Sequence, residues 1–477
     1  MVEYILLVIR LIILDARMIL FWGNIMKVIV IGDGKVGRTI VEHTCQEGHE
    51  VVVVDKKAEN IEQVVDQFDV MGITGNGASY DIQKDAGVQG ADLVIAATSG
   101  DETNILSCLI AKKLGAKSTI SRVRSHEYNN QLNILKSDLG ISMIINPEKE
   151  AANEIVKILN FPQAIRIDTF ARGQVDLIEL FIPENSPLVG ESLLSIYQKY
   201  QLKVLICAVQ RNDEVFIPGG SFVIQAKDKI HITANSKTTL NQFLNKSGLI
   251  RNKVKSVMII GGSKLVTYLG QDLLKHKYQV KIIEKNYQRC QELSRLLPGA
   301  TIIHGDGSNN ELLIEEGINY TDAVVCSTGN DEQNIIISMY ANKQHVKKII
   351  TKINRSTLVG LMETIDMASI ISPKEITAAR IVSYIRAINN SRGSNVNTLY
   401  KLVNNKVEAV EFTAKENKKL IGVEFRNLKL KENTLIVAII RKGEVIIPNG
   451  MDSIQVNDNV IVVTTNQFLN DLNNILE

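Results

Sequence analysis

The sequence predicts an α/β protein made of two tandem copies of a doubly wound parallel-sheet domain, each followed by a small α+β domain. Three observations predict this fold class. Short apolar runs alternate with helical stretches from Lys27 to about Asn160. Shorter, turn-rich runs continue to Lys246, and the whole pattern then recurs after about 230 residues. The 477 residues suffice for roughly three or four domains, each with its own core.

The alternating part of the first copy contains apolar runs that are each followed by a helix-like segment: KVIVI, EVVVVD, DVMGI, DLVIAAT, TISRV and SMII. Strands separated by helices form a parallel sheet that carries helices on both faces. After Pro162 the runs are richer in β-branched residues and are interrupted by the turn signals FIPENSP and FIPGGS. This second pattern is typical of a small α+β domain.

The duplication is visible in motifs that keep one interval. VIVIGDGKVG, from Val28, matches VMIIGGSKLV, from Val257, and Asp55 matches Glu284. GNGAS pairs with GDGSN, TSGDETN with TGNDEQN, and EVFIPGG with EVIIPNG, always about 230 residues apart. The chain is therefore a duplication of one two-domain unit.

The stretch GDGKVG joins the first strand to the first helix. Gly32 permits the tight turn, Gly34 lets the backbone approach a pyrophosphate, and Gly37 lets the helix pack closely on the strand. The amino end of that helix attracts phosphate. Asp55 ends the second strand, where a carboxylate binds ribose hydroxyls and disfavours a 2′-phosphate, so NAD is favoured over NADP. Lys35 fits two interpretations, a phosphate contact and a solvated surface lysine.

Three further residues are expected at the same edge of the sheet. Thr98 and Ser99 follow the fourth strand and Arg122 follows the fifth, so we expect all three where open α/β sheets bind ligands. Each also has a structural interpretation, since Thr98 and Ser99 could cap a helix and Arg122 could be a surface residue. Together they outline a cleft.

Changes in the pattern place the domain boundaries, with polar linkers at Ser247–Lys253 and NNSRGSNVN. We expect an N-terminal extension over 1–25, a first Rossmann-type nucleotide-binding domain over 26–160, a first small α+β domain over 161–248, a second Rossmann-type domain over 253–390 and a second small domain over 396–477.

The extension contains YILLVIRLIILDARMILFW, which superficially resembles a membrane span. Arg10, Asp15 and Arg17 interrupt it, and no small-residue cleavage site follows. Two interpretations remain. The position of Met26 directly before KVIVI favours an upstream start that the working protein lacks, and an amphipathic surface helix is the alternative.

Composition excludes several classes of function. Lys+Arg 54 against Asp+Glu 52 leaves a formal net charge of +2, which predicts no strongly basic surface and no nucleic-acid partner. The five cysteines form no CxxC motif, which suits a cytosolic protein and indicates neither a disulfide framework nor a metal site. They are Cys45, Cys108, Cys207, Cys290 and Cys326.

The second copy departs from the glycine pattern. GGSKLV keeps Gly261, but Ser263 replaces Gly34 and Val266 replaces Gly37. We expect Ser263 to add a side chain where the backbone approaches the ligand and Val266 to push the helix away from the strand. The fold should survive and Glu284 could still bind a ribose, but affinity should fall. An altered or vestigial site is favoured over no site.

No catalytic residues are predicted. A dehydrogenase needs a general acid or base near the nicotinamide, whereas the small domains offer no such set. The histidines are isolated, and neither a Ser/His/Asp arrangement nor HExxH occurs. A cofactor site without reaction machinery indicates a sensor and not an enzyme.

The tandem arrangement, with GDGKVG, Asp55, TSGDETN, SRVRS, GGSKLV, GDGSNNELL and TGNDEQN, resembles the TrkA family of cytoplasmic regulatory subunits of bacterial Trk potassium uptake systems. The resemblance extends from Met26 to the end of the chain. It implies a non-catalytic peripheral protein on the inner face of the cell membrane. Such a protein forms a ring, expected to be a tetramer, beneath a potassium-translocating subunit of the TrkH/TrkG type and responds to NAD or NADH and to ATP or ADP.

The family's pattern places nucleotide contacts at two sets of residues. In the first half they are Gly32, Asp33, Gly34, Lys35, Val36, Asp55, Thr98, Ser99 and Arg122, with Gly37 completing the loop. In the second half they are Gly261, Gly262, Ser263, Lys264, Leu265 and Glu284, and the departures at Ser263 and Val266 weaken that assignment. Two alternatives remain, an NAD-dependent oxidoreductase and a soluble nucleotide sensor that regulates another transporter.

Overall fold

The computed structural model describes residues 25–125, 128, 138–161, 164–212, 214–249, 254–355, 357–358, 368–391, 396–402, 406–417, 419–466, 469 and 471–477. The predicted extension, apart from Ile25, lies outside them. Within these ranges no helix is both long enough and apolar enough to span a bilayer. The chain forms two compact units. Unit 1 comprises the described residues up to Glu150 and Pro373–Ile385, and unit 2 comprises those of Ala151–Ser372 and Arg386–Glu477.

The first six-stranded sheet is parallel and has the order β3-β2-β1-β4-β5-β6. After Lys27 its central strand is apolar and buried, because helices cover both faces. The strands are β1 Lys27–Ile31, β2 Glu50–Asp55, β3 Met71–Thr74, β4 Leu93–Ala96, β5 Ser118–Arg122 and β6 Met143–Ile145. The helices are α1 Lys35–Gln46, α2 Ala58–Gln67, α3 Tyr80–Asp85, α4 Asp101–Leu114 and α5 Pro147–Asn160.

The first small domain is an antiparallel sheet of order β10-β9-β11-β8-β7 with two helices. Ser192 and Ser236 cap these helices through their side chains. The strands are β7 Ala164–Phe170, β8 Val175–Phe181, β9 Val204–Arg211, β10 Glu214–Phe216 and β11 Lys229–Ala234, and the helices are α6 Leu193–Tyr200 and α7 Lys237–Lys246.

The second parallel sheet repeats the first, with the order β14-β13-β12-β15-β16-β17. Its strands are β12 Ser256–Ile260, β13 Gln279–Glu284, β14 Thr301–His304, β15 Ala323–Cys326, β16 Lys348–Lys352 and β17 Ala368–Ile371. Its helices are α8 Lys264–Lys275, α9 Tyr287–Leu296, α10 Asn310–Glu315, α11 Asp331–Lys343 and α12 Pro373–Ser391.

The second small sheet has the order β18-β19-β22-β20-β21. In its described part, the 3-10 turns Phe425–Asn427 and Leu472–Ile475 stand at the sequence positions of α6 and α7. Its strands are β18 Val396–Leu402, β19 Val407–Thr413, β20 Thr434–Arg441, β21 Glu444–Ile446 and β22 Asn459–Thr464. The four sheets confirm the predicted fold class.

The two small sheets pack against each other inside unit 2. Phe170 and Leu177 of the first share one buried cluster with Ala409 and Val463 of the second. The Ala171 N–H also donates to Glu411 Oε2 at 3.0 Å. This burial joins the two copies through their small domains.

Two helices begin in one compact unit and end in the other. The first part of α12, Pro373–Ile385, belongs to unit 1, where His43 Nε2 lies 3.0 Å from Glu375 Oε2. From Ala151 onward α5 belongs to unit 2, where Tyr278 Oη donates to Asn160 Oδ1 at 3.0 Å. The two compact units therefore do not coincide with the two copies that the sequence repeat defines.

Candidate functional site

The first glycine loop connects β1 to α1 at the carboxyl edge of the sheet. Gly32 has φ +101°, and a Cβ there would lie 2.8 Å from the Thr98 nitrogen. A Cβ on Gly37 would lie 1.8 Å from the Gly32 carbonyl oxygen. Only glycine fits these two positions, because one needs a left-handed backbone and the other a close backbone contact.

Gly34 serves a different purpose. Its φ of −78° and ψ of −175° are open to any residue, and a Cβ there would meet no atom within 4 Å. The absence of a side chain therefore leaves open space directly before the first helical residue, Lys35. The free N–H groups of a first helical turn make such a space suitable for phosphate.

Asp55 holds the loop as well as facing the cleft. Its Oδ2 accepts from the Asp33 N–H at 2.7 Å, and its Oδ1 accepts from the Lys57 N–H at 2.9 Å and from Asn60 Nδ2 at 3.1 Å. Sequence reasoning predicted the ribose role and missed the loop-anchoring role. The remaining acceptor capacity of the carboxylate is what a ribose hydroxyl would use.

Asp33 forms an ion pair with Arg38, which the sequence analysis did not single out. Burial raises the pKa of the Asp33 carboxyl, and Arg38 opposes that rise. Arg38 also donates to Gln63 Oε1 at 3.2 Å. Because Arg38 pairs with its carboxylate and Asp55 accepts from its backbone N–H, Asp33 stabilises the loop itself. The sequence did contain a signal for this ion pair, because a cationic residue lies in the first helical turn after GDGKVG.

Asn104 connects the ends of β4 and β5. Its Oδ1 accepts from the Thr98 N–H at 2.8 Å and from Thr98 Oγ1 at 2.7 Å, while its Nδ2 donates to the Arg122 carbonyl at 2.9 Å. Asn104 is fully buried. Asn334 makes the matching bonds to Thr328 and Lys352, so the repeated Asn of TSGDETN and TGNDEQN was a usable signal.

Arg122 crosses back over the end of β4. Its Nη1 donates to the carbonyls of Ala97 at 3.3 Å and Thr98 at 3.2 Å, and its buried Nε has no partner among the described residues. Burial, together with the charge of Arg124, lowers the pKa of the Arg122 guanidinium. A cation held mainly by carbonyls can still attract an anion at this edge.

Arg124 and Glu148 extend this edge, and neither was predicted. Arg124 Nη2 donates to the Ser99 carbonyl at 3.0 Å, and its Nη1 lies 4.0 Å from Glu148 Oε1. Ser99 is exposed, as is Lys35, so both predicted contacts are accessible. Val36 is half-buried and would contribute its backbone.

The second loop keeps the backbone arrangement of the first. Gly261 has φ +99°, and Glu284 accepts from the N–H groups of Gly262 and Asn286, as Asp55 does from Asp33 and Lys57. Val266 is fully buried, yet α8 has 12 residues, like α1. The fold of the second copy therefore persists despite Val266.

The side chains around the second loop differ. Arg289 donates through Nε to the Gly262 carbonyl and through Nη2 to Thr267 Oγ1 at 2.6 Å. Ser263 Oγ lies 3.2 Å from Ser327 Oγ. Lys264 is exposed and Leu265 is buried, so Leu265 could offer a ligand only its backbone.

Comparison with known proteins agrees with this duplicated architecture. The TrkA-N domain model matches residues 28–147 and 257–373, and the TrkA-C domain model matches 177–247 and 409–477. The Trk system potassium uptake protein TrkA homolog of Archaeoglobus fulgidus is 32% identical over 438 residues, which cover 92% of this chain and 97% of that protein. The chain belongs to the TrkA family. The TrkA protein of Vibrio alginolyticus is 29% identical over 448 residues, covering 93% of this chain and 96% of that protein.

Solved structures share the TrkA-type architecture at lower identity. The GsuK channel superposes with a TM-score of 0.62 at 16% identity and covers 93% of this chain and 77% of that chain. A structure described as the GsuK channel bound to NAD has a TM-score of 0.61 at the same identity and coverage. At this identity the likeness shows the fold alone.

Proposed function

We propose that this chain is the nucleotide-sensing regulatory subunit of a Trk-type potassium uptake system and that its first cleft binds NAD or NADH. The observation that carries the proposal is the glycine loop in front of α1. Asp55 accepts a hydrogen bond from this loop, and Gly34 leaves free space there. Support also comes from the potassium uptake proteins that match nearly the whole chain and from an NAD-bound channel of the same fold.

Several parts of the dinucleotide would meet a matching group in the first cleft. The pyrophosphate would lie over Gly34 and the amino end of α1, where N–H groups and the helix dipole favour negative charge. The adenosine ribose would bind Asp55, whose carboxylate disfavours a 2′-phosphate. Thr98, Ser99 and Arg122 would contact the part of the ligand beyond the pyrophosphate, and ATP or ADP could use the same loop. In the second copy Glu284 could still bind a ribose, but the Ser263 side chain would disfavour a dinucleotide.

Binding would regulate flux only if the open and closed forms differ in nucleotide affinity. Typical coupling free energies of about 1–3 kcal/mol change such an equilibrium roughly 5- to 150-fold, which suffices for a regulator. The partner would be a membrane subunit of the TrkH/TrkG type. The chain would act as a ring on the cytoplasmic face of the membrane, without catalysing a reaction.

The test is potassium flux in liposomes that contain the membrane partner, with and without this protein, while NAD, NADH, ATP and ADP are varied singly. We expect flux to change with at least one nucleotide only when the protein is present. If the protein binds its partner but no nucleotide alters flux, the regulatory proposal fails. Steady consumption of NADH in an absorbance assay with candidate substrates would instead favour an oxidoreductase.

A further inference from the structure

A pair of serine hydroxyls crosses the second crevice. Ser263 precedes α8 and Ser327 follows β15, and their Oγ atoms lie 3.2 Å apart, within hydrogen-bonding distance. Ser327 is fully buried. Strands β12 and β15 are neighbours where the strand order reverses, the place at which doubly wound sheets bind ligands. The hydroxyl pair therefore lies across the ligand position.

The first crevice has no such pair. Gly34 and Ala97 occupy the matching positions, and a Cβ on Gly34 would meet nothing within 4 Å. The backbone is nearly the same in both copies, with φ −78° and ψ −175° at Gly34 and φ −62° and ψ 169° at Ser263. At this position the two copies thus differ in the side chain and not in the backbone conformation.

The rest of the second loop is still built as a nucleotide loop. Gly261 keeps its positive φ, Glu284 still binds the loop N–H, and α8 still begins directly after the loop. Arg289 donates to the carbonyls of Gly262 and Ser263, whereas a phosphate would bind to the loop N–H groups. The serine pair is therefore the feature of this loop that lies in the path of a pyrophosphate.

We propose that the Ser263–Ser327 hydroxyl pair is the specificity determinant that closes the second crevice to dinucleotides. A pyrophosphate must approach the backbone at the second loop position, and the Ser263 side chain with its partner fills that approach. Opening it would break the bond and leave the buried Ser327 hydroxyl without a partner. This inference rests on the proposed nucleotide binding of the first cleft. It predicts that each chain binds a single dinucleotide.

The test is calorimetry of NADH binding to three full-length proteins. The unmodified chain should bind about one equivalent, and Ser263→Gly with Ser327→Ala should bind about two, since the crevice is then as open as the first. The matched variant, Gly34→Ser with Ala97→Ser, transplants the pair into the first crevice and should lose the single equivalent. Circular dichroism and thermal unfolding should show that both variants remain folded.

The outcomes separate this inference from the proposed function. Two equivalents in the unmodified chain would overturn the inference, as would a folded Ser263→Gly/Ser327→Ala variant that gains none. If the unmodified chain binds no NADH but the opened variant binds one equivalent, the inference stands and the first-cleft proposal fails. If the opened variant does not fold, the Gly34→Ser/Ala97→Ser variant provides the test. Loss of its NADH binding supports the inference, and retention of that binding overturns it.

Discussion

The first and second glycine loops are both bonded to an acid at the end of the neighbouring strand but are braced by different helices. In the first, Arg38 of α1 pairs with the Asp33 carboxylate. In the second, position 33 is matched by Gly262 and position 38 by Thr267, and Arg289 of α9 supplies the guanidinium that bonds to both residues. A cation next to the loop is thus kept although the residue that provides it has changed.

This difference shows which part of the loop the backbone requires. Both loops depend on an acid at the end of the second strand, Asp55 or Glu284, which binds a loop N–H. The bracing arginine comes from a different helix in each copy and bonds to different loop atoms, the Asp33 carboxylate in the first and the Gly262 carbonyl in the second. The acid is the fixed element and the arginine is exchangeable.

The largest expected effect concerns Gly37, whose counterpart is Val266. Gly37→Val should destabilise the first Rossmann-type domain by about 3 kcal/mol or more, because a Cβ there would lie 1.8 Å from the Gly32 carbonyl. Val266→Gly should cost roughly 2–3 kcal/mol through lost burial. Chemical denaturation measures both, and an unchanged unfolding midpoint for Gly37→Val would show that the loop tolerates the second copy's residue.

The next comparison is between Lys348 and Ser118, which occupy the same place in the two sheets. Lys348 is buried, donates to the Ala164 carbonyl at 2.7 Å, and has its pKa lowered by burial to about 7. Between about 7 and 10.5 the unfolded state binds one more proton, so stability should rise with pH by about 1.4 kcal/mol per unit.

The variant Lys348→Met should remove that alkaline rise in the free energy of unfolding, measured by denaturation at a series of pH values. The control Lys113→Met changes an exposed lysine and should keep the rise. A rise of the same slope in Lys348→Met would mean that another group causes it.

An effect of similar size, but in the acid range, is expected at His231, where the second small sheet has Ile461. His231 is fully buried, its Nε2 has no partner among the described residues, and burial lowers its pKa to about 3. Between about 6.5 and 3 the unfolded state binds the extra proton, so stability should fall as pH falls. His231→Ile should flatten that acid loss, and denaturation between these limits measures it. An unaltered acid slope would contradict the assignment.

The smallest effect concerns the two strand-end acids. Asp55→Ala should weaken NADH binding by roughly ten- to a hundredfold, or about 1.4–2.7 kcal/mol, because ribose and loop both lose an acceptor. Glu284→Ala should leave NADH affinity unchanged if the first cleft alone binds the dinucleotide. Calorimetry on both variants provides the comparison, and equal losses would show that both loops bind NADH.

Much of the first site could be predicted because its determinants are local. The spacing of GDGKVG and the position of Asp55 after a buried strand depend on neighbouring turns and on strand periodicity. Asn104 and Glu148 were missed because each has a partner on an element distant in the sequence, whereas Arg38 lies close to Asp33 and was overlooked despite a local signal. Asn104, for example, joins Thr98 to the end of β5, which is a contact across the sheet edge.

By itself, the sequence determined the duplication, the order of sheets and helices, and the glycine loop with its acid, since periodicity and turn chemistry act over a few residues. Only the tertiary structure decided which core each helix joins. Helix α12 has an apolar pattern that any core could bury, and its first part, Pro373–Ile385, belongs to unit 1 although the pattern assigns it to the second copy. It also decided that Ser263 and Ser327, 64 positions apart, meet in one crevice. Such contacts depend on how sheets and helices assemble, because hydrophobic burial is non-directional and the local sequence does not specify which element a segment packs against.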